Sequence, residues 1–184
     1  MSTQTITKQI SKQTTKVKYL TITGLMAAMI TLMTAYICHI PFGANGGYLH
    51  FGDSLVYLAG ALLPTPYALA AAAIGAGLAD LLTAPMWTPA TIIIKMLMAL
   101  PFSFKSTKIM TPRNILCATL IGYFINHTGY FFAEYILFGS FSSAFFGSIG
   151  GVIQSGGSAV FFIIFGLALD KVHMKAKLAN QLAA

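Results

Sequence analysis

The sequence predicts an all-α integral membrane protein, folded as a compact bundle of six transmembrane helices with both termini in the cytoplasm. The 184-residue chain is 57% hydrophobic and only 8% charged, and its mean hydropathy is +0.77. A soluble domain carries about 25% charged residues, so a chain of this composition could not cover its surface in water. Several of its apolar runs approach the roughly 20 residues that a bilayer crossing requires.

The basic residues indicate the orientation of the bundle. Ten of the eleven Lys and Arg residues lie in polar segments that flank apolar runs; they are Lys8, Lys12, Lys16, Lys18, Lys105, Lys108, Arg113, Lys171, Lys175 and Lys177. Cytoplasmic segments are enriched in such residues, which places both termini inside and predicts a cell-membrane protein. The net charge of +7 therefore reflects membrane topology, and we expect no nucleic-acid partner.

We expect a polar cytoplasmic tail at residues 1–18, a six-helix membrane domain at 19–170 and a second cytoplasmic tail at 171–184. The predicted helices are 19–39, 51–63, 67–82, 88–104, 112–132 and 148–169, with an aromatic, Ser- and Gly-rich loop at 134–147. The second helix is short for a crossing. It either spans the bilayer or dips in and returns with the third helix, and both alternatives leave the later topology unchanged.

Small residues recur at four-residue spacing along the first predicted helix. Gly24 pairs in this way with Ala28, and Ala27 pairs with Thr31, which in turn pairs with Ala35. Ridges of small residues let helices approach closely. Two interpretations fit the pattern: packing within this bundle, or an interface with a second membrane protein.

Three charged residues, Asp53, Asp80 and Lys95, lie in or beside apolar runs. Charge inside a membrane is costly unless it meets a partner or faces a cavity, so these positions indicate function. The predicted topology brings all three to the outer part of helices two, three and four. There they could neutralise one another, or they could contact a ligand directly.

The same topology brings the other strongly polar side chains into the outer half of the membrane. The spacing of Asn126, His127, Tyr130 and Glu134 puts them broadly on one face of the fifth helix. Polar groups confined to the outer half predict an outward-open pocket rather than a channel. The candidate substrate-binding residues are Tyr48, Trp87, Lys95, Asn126, His127, Tyr130, Glu134 and Gln154.

Motifs that bind nucleotides or metals are missing from the sequence. It has no Gly-x-x-x-x-Gly-Lys-Ser/Thr loop, no His-Glu-x-x-His and no cysteine pair at zinc spacing. We therefore expect no metal, no cofactor and no enzymatic activity, with any ATP hydrolysis supplied by partner subunits. The two cysteines, Cys38 and Cys117, are expected to be packing residues.

The order of the polar residues resembles a known family. The segments Gly46-Gly-Tyr-Leu-His-Phe-Gly-Asp53, Ala79-Asp80-Leu81 and Pro89-Ala-Thr-Ile-Ile-Ile-Lys95 are similar to the riboflavin-type group of energy-coupling factor (ECF) S components. The resemblance extends from the first predicted helix to the sixth.

This resemblance implies a six-helix subunit that binds the substrate of a vitamin importer. Such S components join a transmembrane T component and two ATP-binding cassette ATPases, hold substrate in the outer half of the bilayer and deliver it by toppling in the membrane. In the family, a ridge of small residues on helix one contacts the T component. The corresponding residues here would be Gly24, Ala27, Ala28, Thr31 and Ala35.

The riboflavin-type group also includes proteins assigned to hydroxymethylpyrimidine, which is a thiamine precursor, and to other B vitamins. An acidic pocket that carries imidazole suits an aminopyrimidine or a pyridine alcohol. We therefore rank hydroxymethylpyrimidine first and pyridoxine close behind, ahead of the larger riboflavin.

Two hypotheses from other classes compete with this one. The chain could be a self-sufficient, homo-oligomeric secondary transporter in which Lys95 and Asp80 form a proton-linked pair. It could also be a membrane enzyme that uses His127 and Glu134 as acid and base, although no nucleophile or metal motif accompanies those two residues.

Overall fold

The computed structural model describes residues 3–37, 39–41, 48–102 and 105–183 of the chain. Its elements, in order, are α1 (Thr3–Ala35), β1 (Ile40–Pro41), β2 (Tyr48–Leu49), α2 (Asp53–Leu62), α3 (Thr65–Thr83), a 3₁₀ turn (Pro85–Trp87), α4 (Thr88–Ala99), α5 (Pro112–Leu116), a π-helical turn (Cys117–Ile121), α6 (Gly122–Phe138), α7 (Phe141–Lys171) and α8 (Met174–Ala183). The two strands pair antiparallel, with Pro41 opposite Tyr48. The all-α class is confirmed, with this small ribbon as an addition.

Helix α2 lies at the centre of the bundle. Nine of its ten residues are buried, from Asp53 to Ala61. A helix that is apolar on every side is stable only when other helices surround it, and α2 packs against α1, α3, α4 and α7. Its carboxyl end is fixed by the sequence Pro64-Thr-Pro66, where Leu63 turns to an extended conformation and α3 begins at Thr65. The centre of the protein is therefore a short helix.

Among the described residues, four helical stretches are long and apolar enough to cross a membrane: Gln13–Ala35, Thr65–Thr83, Pro112–Phe138 and Phe141–Lys171. Helix α2 has ten residues and α4 has twelve. At 1.5 Å per residue they extend about 15 Å and 18 Å, roughly half of the hydrocarbon thickness. A membrane protein is supported, whereas the count of six spans and the cytoplasmic position of both termini stay predictions.

The predicted loop at 134–147 is wrong. Helix α6 continues through Glu134 to Phe138, and Gly139 ends it with a positive φ of 64°. Ser140 then caps α7, because its Oγ accepts a hydrogen bond from the backbone N–H of Ser143. The only interruption is thus a Gly-Ser pair, which supplies a left-handed helix end and an N-cap in two residues. The aromatic residues that follow are helical and outward-facing.

Helix ends elsewhere also differ from the predictions. Helix α1 ends at Ala35 rather than residue 39, and α4 ends at Ala99 rather than residue 104, just before Pro101. Both expected polar tails are largely helical, the first as part of α1 and the second as α8. Polar residues such as Lys and Gln are good helix formers, so the end of an apolar run does not mark the end of a helix.

Helices α1 and α3 meet along a close seam. The hydroxyl of Thr31 donates to the backbone oxygen of Gly75 over 2.9 Å. A Cβ atom on Gly75 would lie only 2.7 Å from the carbonyl oxygen of Ala27, so glycine is required for this approach. Ala27 and Ala35 are buried in the bundle, at 4% and 6% exposure.

The small-residue ridge of α1 therefore divides into two faces. Ala27, Thr31 and Ala35 pack within the bundle, whereas Gly24 and Ala28 are exposed on the other side of the helix. Of the two cysteines, Cys117 is buried as expected, and Cys38 lies outside the described residues.

Candidate ligand-binding pocket

A buried ion pair joins α2 to α4. Asp53 is the first residue of α2, and its Oδ1 lies 2.7 Å from Nζ of Lys95 in α4. Each side chain exposes only 1% of its surface. Removing two charges from water is costly, and their attraction compensates only when further hydrogen bonds satisfy both groups.

Amide side chains from two other helices supply those hydrogen bonds. The Lys95 ammonium donates to Oδ1 of Asn126 in α6 over 2.8 Å, and Nε2 of Gln154 in α7 donates to Oδ2 of Asp53 over 3.0 Å. The side-chain nitrogen of Asn126 in turn donates to Oγ of Ser155 over 3.2 Å. Four helices therefore converge on this ion pair.

Asp80, the third member of the predicted charge cluster, has different partners. The hydroxyl groups of Tyr48 and Thr91 donate to its carboxylate, one to each oxygen. Oγ1 of Thr91 also lies 2.7 Å from the phenol oxygen of Tyr130. The sequence left open whether the three charges neutralise one another. Asp53 and Lys95 neutralise each other directly, whereas Asp80 accepts hydrogen bonds from hydroxyl groups.

A half-enclosed cavity of about 110 Å³ lies beside these two hydrogen-bonded groups. Seven of the eight residues predicted to bind substrate line it: Tyr48, Trp87, Asn126, His127, Tyr130, Glu134 and Gln154. Lys95, the eighth, is completely buried and lies behind Asn126. Its ammonium supports the wall of the cavity through Asn126, and its direct contact with a substrate stays a prediction.

Two side chains of the cavity wall carry buried nitrogen atoms that have no hydrogen-bond partner among the described residues. They are Nε1 of Trp87 and Nδ1 of His127. The Trp87 ring packs edge-on against Tyr130, and His127 stacks on Tyr123. Buried polar atoms are normally hydrogen-bonded, so both nitrogens are available to a ligand.

The α7 side of the cavity is built from glycine. Gly147, Gly150 and Gly151 line it, and a Cβ atom on Gly147 would collide with the carboxylate of Glu134. That carboxylate accepts a hydrogen bond from Oγ of Ser143 over 2.8 Å. Because these glycines have no side chains, they leave space for the cavity. Ser143 holds the Glu134 carboxylate at the edge of the cavity.

Sequence reasoning missed the roles of His50 and Thr91. His50 lines the cavity, and its Nδ1 accepts a hydrogen bond from the backbone N–H of Gly52 over 3.1 Å. Burial lowers the pKa of His50 to about 4, so its imidazole is neutral at pH 7. Thr91 is four residues before Lys95, a spacing that puts both on one helix face and could have signalled a shared polar environment.

The ion pair generates a stability prediction. Replacing Lys95 with Met leaves the buried Asp53 carboxylate without a counter-charge, which should lower the free energy of unfolding by about 3–5 kcal/mol. The double variant Asp53→Asn with Lys95→Met removes both charges, so its free energy of unfolding should fall clearly less than that of Lys95→Met. Thermal unfolding in one detergent measures both variants. A double variant that is no more stable than Lys95→Met would show that the buried charge is not the cause.

Comparison with known proteins places the chain in a family. Residues 14–171 match the family model described as "ECF-type riboflavin transporter, S component". The chain is also 28% identical over 131 residues to a protein of Pyrococcus woesei described as "Uncharacterized protein in gap 3'region", and the match covers 68% of this chain and 88% of that protein. No solved structure matches the chain.

The family match covers most of the chain, from within α1 to the end of α7, and includes the whole cavity. S components of this family are subunits of membrane transporters and are not enzymes, so the hypothesis of a membrane enzyme is set aside. The chain belongs to the family of ECF-type riboflavin transporter S components.

Proposed function

We propose that this chain is the substrate-binding subunit of a vitamin importer and that its cavity binds hydroxymethylpyrimidine, with pyridoxine as the second candidate. Family membership supports a vitamin-type transporter subunit. The single observation that carries the choice of substrate is the wall of the cavity, where two carboxylates and several aromatic and imidazole rings surround a small volume.

The charges of the wall favour a neutral or weakly basic ligand. Asp80 and Glu134 line the cavity, whereas no Lys or Arg is found among its described lining residues. Lys95, a buried cation behind the wall, is already paired with Asp53. A carboxylate ligand such as pantothenate would meet like charges without a counter-ion, and such a contact is unfavourable in a site of low dielectric.

The size and shape of the cavity favour a single ring. Its volume of about 110 Å³ is small beside the roughly 300–1,000 Å³ of pockets that hold drug-sized molecules. The rings of Trp87, Tyr130 and His127 provide flat apolar walls for an aromatic ligand. One six-membered ring with short polar substituents suits these walls, whereas the three fused rings of riboflavin would need a larger space.

The proposal includes partner subunits. The family implies a T component and ATPases in the same membrane, and we propose that a T component and two ATP-binding cassette ATPases drive release of the ligand. Gly24 and Ala28 are the members of the α1 ridge that remain exposed, so they are the better candidates for contact with the T component. Uptake by vesicles that contain this chain alone would instead support a self-sufficient transporter.

Substitution of two wall residues tests the site. Glu134→Gln and His127→Ala should each weaken the binding of hydroxymethylpyrimidine by about 10–100-fold, since each removes one polar contact in a buried site. Isothermal titration calorimetry of the detergent-purified protein measures the change.

Thr128→Ala is the matched control, because Thr128 is an exposed neighbour on the same helix. Its affinity should equal that of the wild type. Normal binding by both wall variants would show that the ligand lies elsewhere, and binding of riboflavin in preference to hydroxymethylpyrimidine would overturn the choice of substrate.

A further inference from the structure

We infer that Thr91, which does not line the cavity, fixes the direction of the hydrogen bonds at the Asp80 end of the cavity, so that this end only accepts hydrogen bonds. The ligand must therefore present donors there, as an aminopyrimidine does. This inference rests on the proposed function, since it specifies which edge of the ligand is recognised and which residue outside the cavity enforces the choice.

The carboxylate of Asp80 sets the direction of two hydrogen bonds. Tyr48 and Thr91 each place a hydroxyl group on one of its two oxygens. An ionised carboxylate has no proton to donate, and each hydroxyl has one. Both hydroxyl protons are therefore directed at Asp80.

The direction of the hydrogen bond between Thr91 and Tyr130 follows from that of the bond between Thr91 and Asp80. Oγ1 of Thr91 and the phenol oxygen of Tyr130 are 2.7 Å apart, and by distance alone either could be the donor. Because the proton of Thr91 is committed to Asp80, Tyr130 must donate to Thr91. Tyr48 and Tyr130 both line the cavity. Because their hydroxyl protons are already donated in these hydrogen bonds, each phenol oxygen can only accept a hydrogen bond from a ligand.

The ion pair fixes the amide groups of the wall in a similar way. Gln154 directs its nitrogen at the Asp53 carboxylate, which leaves its oxygen as the atom without a fixed role. Asn126 directs its oxygen at the Lys95 ammonium. An inverted amide would set oxygen against carboxylate or nitrogen against ammonium, so neither group can turn over to suit a different ligand.

Trp87 offers the cavity a hydrogen-bond donor, in contrast to the acceptors at Asp80. Its indole N–H is a donor and has no partner among the described residues. The cavity therefore combines an accepting end, at Asp80 and the two tyrosines, with the indole donor of Trp87. The neutral imidazole of His50 accepts at Nδ1 and so carries its proton on Nε2, which adds a second donor to the lining. A ligand that matches it carries an amino group toward Asp80 and a ring nitrogen or hydroxyl oxygen toward Trp87.

This pattern separates closely related heterocycles. Replacing the 4-amino group of a pyrimidine by a 4-oxo group changes the exocyclic donor into an acceptor and puts a proton on the adjacent ring nitrogen, with little change in shape. The oxo compound would set an acceptor against acceptors in a buried site, and sites of this kind reject a mismatched analogue strongly. The dione edge of a flavin has two carbonyl oxygens and meets the same penalty.

The experiment compares two ligands across three proteins. Calorimetry measures the dissociation constants of hydroxymethylpyrimidine and its 4-oxo analogue for the wild type, Thr91→Val and Thr91→Ser. The wild type should prefer the amino compound by about 100-fold or more. Thr91→Val removes the acceptor of the Tyr130 proton and frees that proton for the ligand, so the preference should fall to less than about 10-fold. Thr91→Ser keeps the hydroxyl and should retain the preference.

The readout is a ratio of affinities, which a general loosening of the fold would not invert or erase selectively. If Thr91→Val does not fold, Tyr130→Phe removes the phenol oxygen that is assigned as an acceptor here and should also lower the preference for the amino compound. A Thr91→Val protein that binds the amino compound with an undiminished preference overturns the inference and leaves the proposed function intact. If the wild type binds neither compound, both this inference and the proposed function are overturned. If the wild type prefers the oxo compound, the assignment of the Asp80 end as a hydrogen-bond acceptor is wrong.

Discussion

The pairing of Asp53 with Lys95 is the interaction on which the rest of the pocket depends. Only four acidic residues occur in the chain, and two of them, Asp53 and Asp80, are buried beside the cavity. Lys95 neutralises Asp53 and also donates a hydrogen bond to Asn126. The side-chain nitrogen of Gln154, in α7, donates to the second oxygen of the Asp53 carboxylate. The amide groups of the cavity wall are thus positioned by a charge pair whose two residues are not among those that line the cavity.

The central position of α2 explains how a charge pair can lie there. Because α2 is only ten residues long, its first residue lies within the bundle rather than at the surface. The amino end of a helix favours a negative side chain, which helps to stabilise Asp53. Lys95 comes from another short helix, α4. Two short helices surrounded by long ones leave space at one end of the bundle, and the glycine residues of α7 keep that space open.

Much of this arrangement follows from the sequence. The low charge content predicts the membrane class. The positions of Tyr48, Trp87, Asn126 and Glu134 on predicted outer loops and outer helix ends predict that they lie together, and the structure places them around one cavity. This was possible because polar residues in an apolar chain are few and each needs a partner.

Other features could not be predicted, for physical reasons. The pairing of Asp80 with hydroxyl groups depends on distances of a few ångströms across separate helices, which hydropathy does not encode. The helical hairpin at Gly139 was mistaken for a loop, since aromatic, Ser- and Gly-rich composition is shared by loops and by lipid-facing helices. The burial of Lys95 behind Asn126 likewise depends on side-chain direction, which residue spacing alone leaves undetermined.

The central claim is that a small, donor-bearing ring occupies the cavity that the ion pair supports. The most direct measurement is a solved structure of the purified protein with hydroxymethylpyrimidine. We expect the ring to lie between Trp87 and His127, with its amino nitrogen within hydrogen-bonding distance, about 3 Å, of the Asp80 group. A ring bound outside this cavity, or bound with its amino group away from Asp80, would contradict the account.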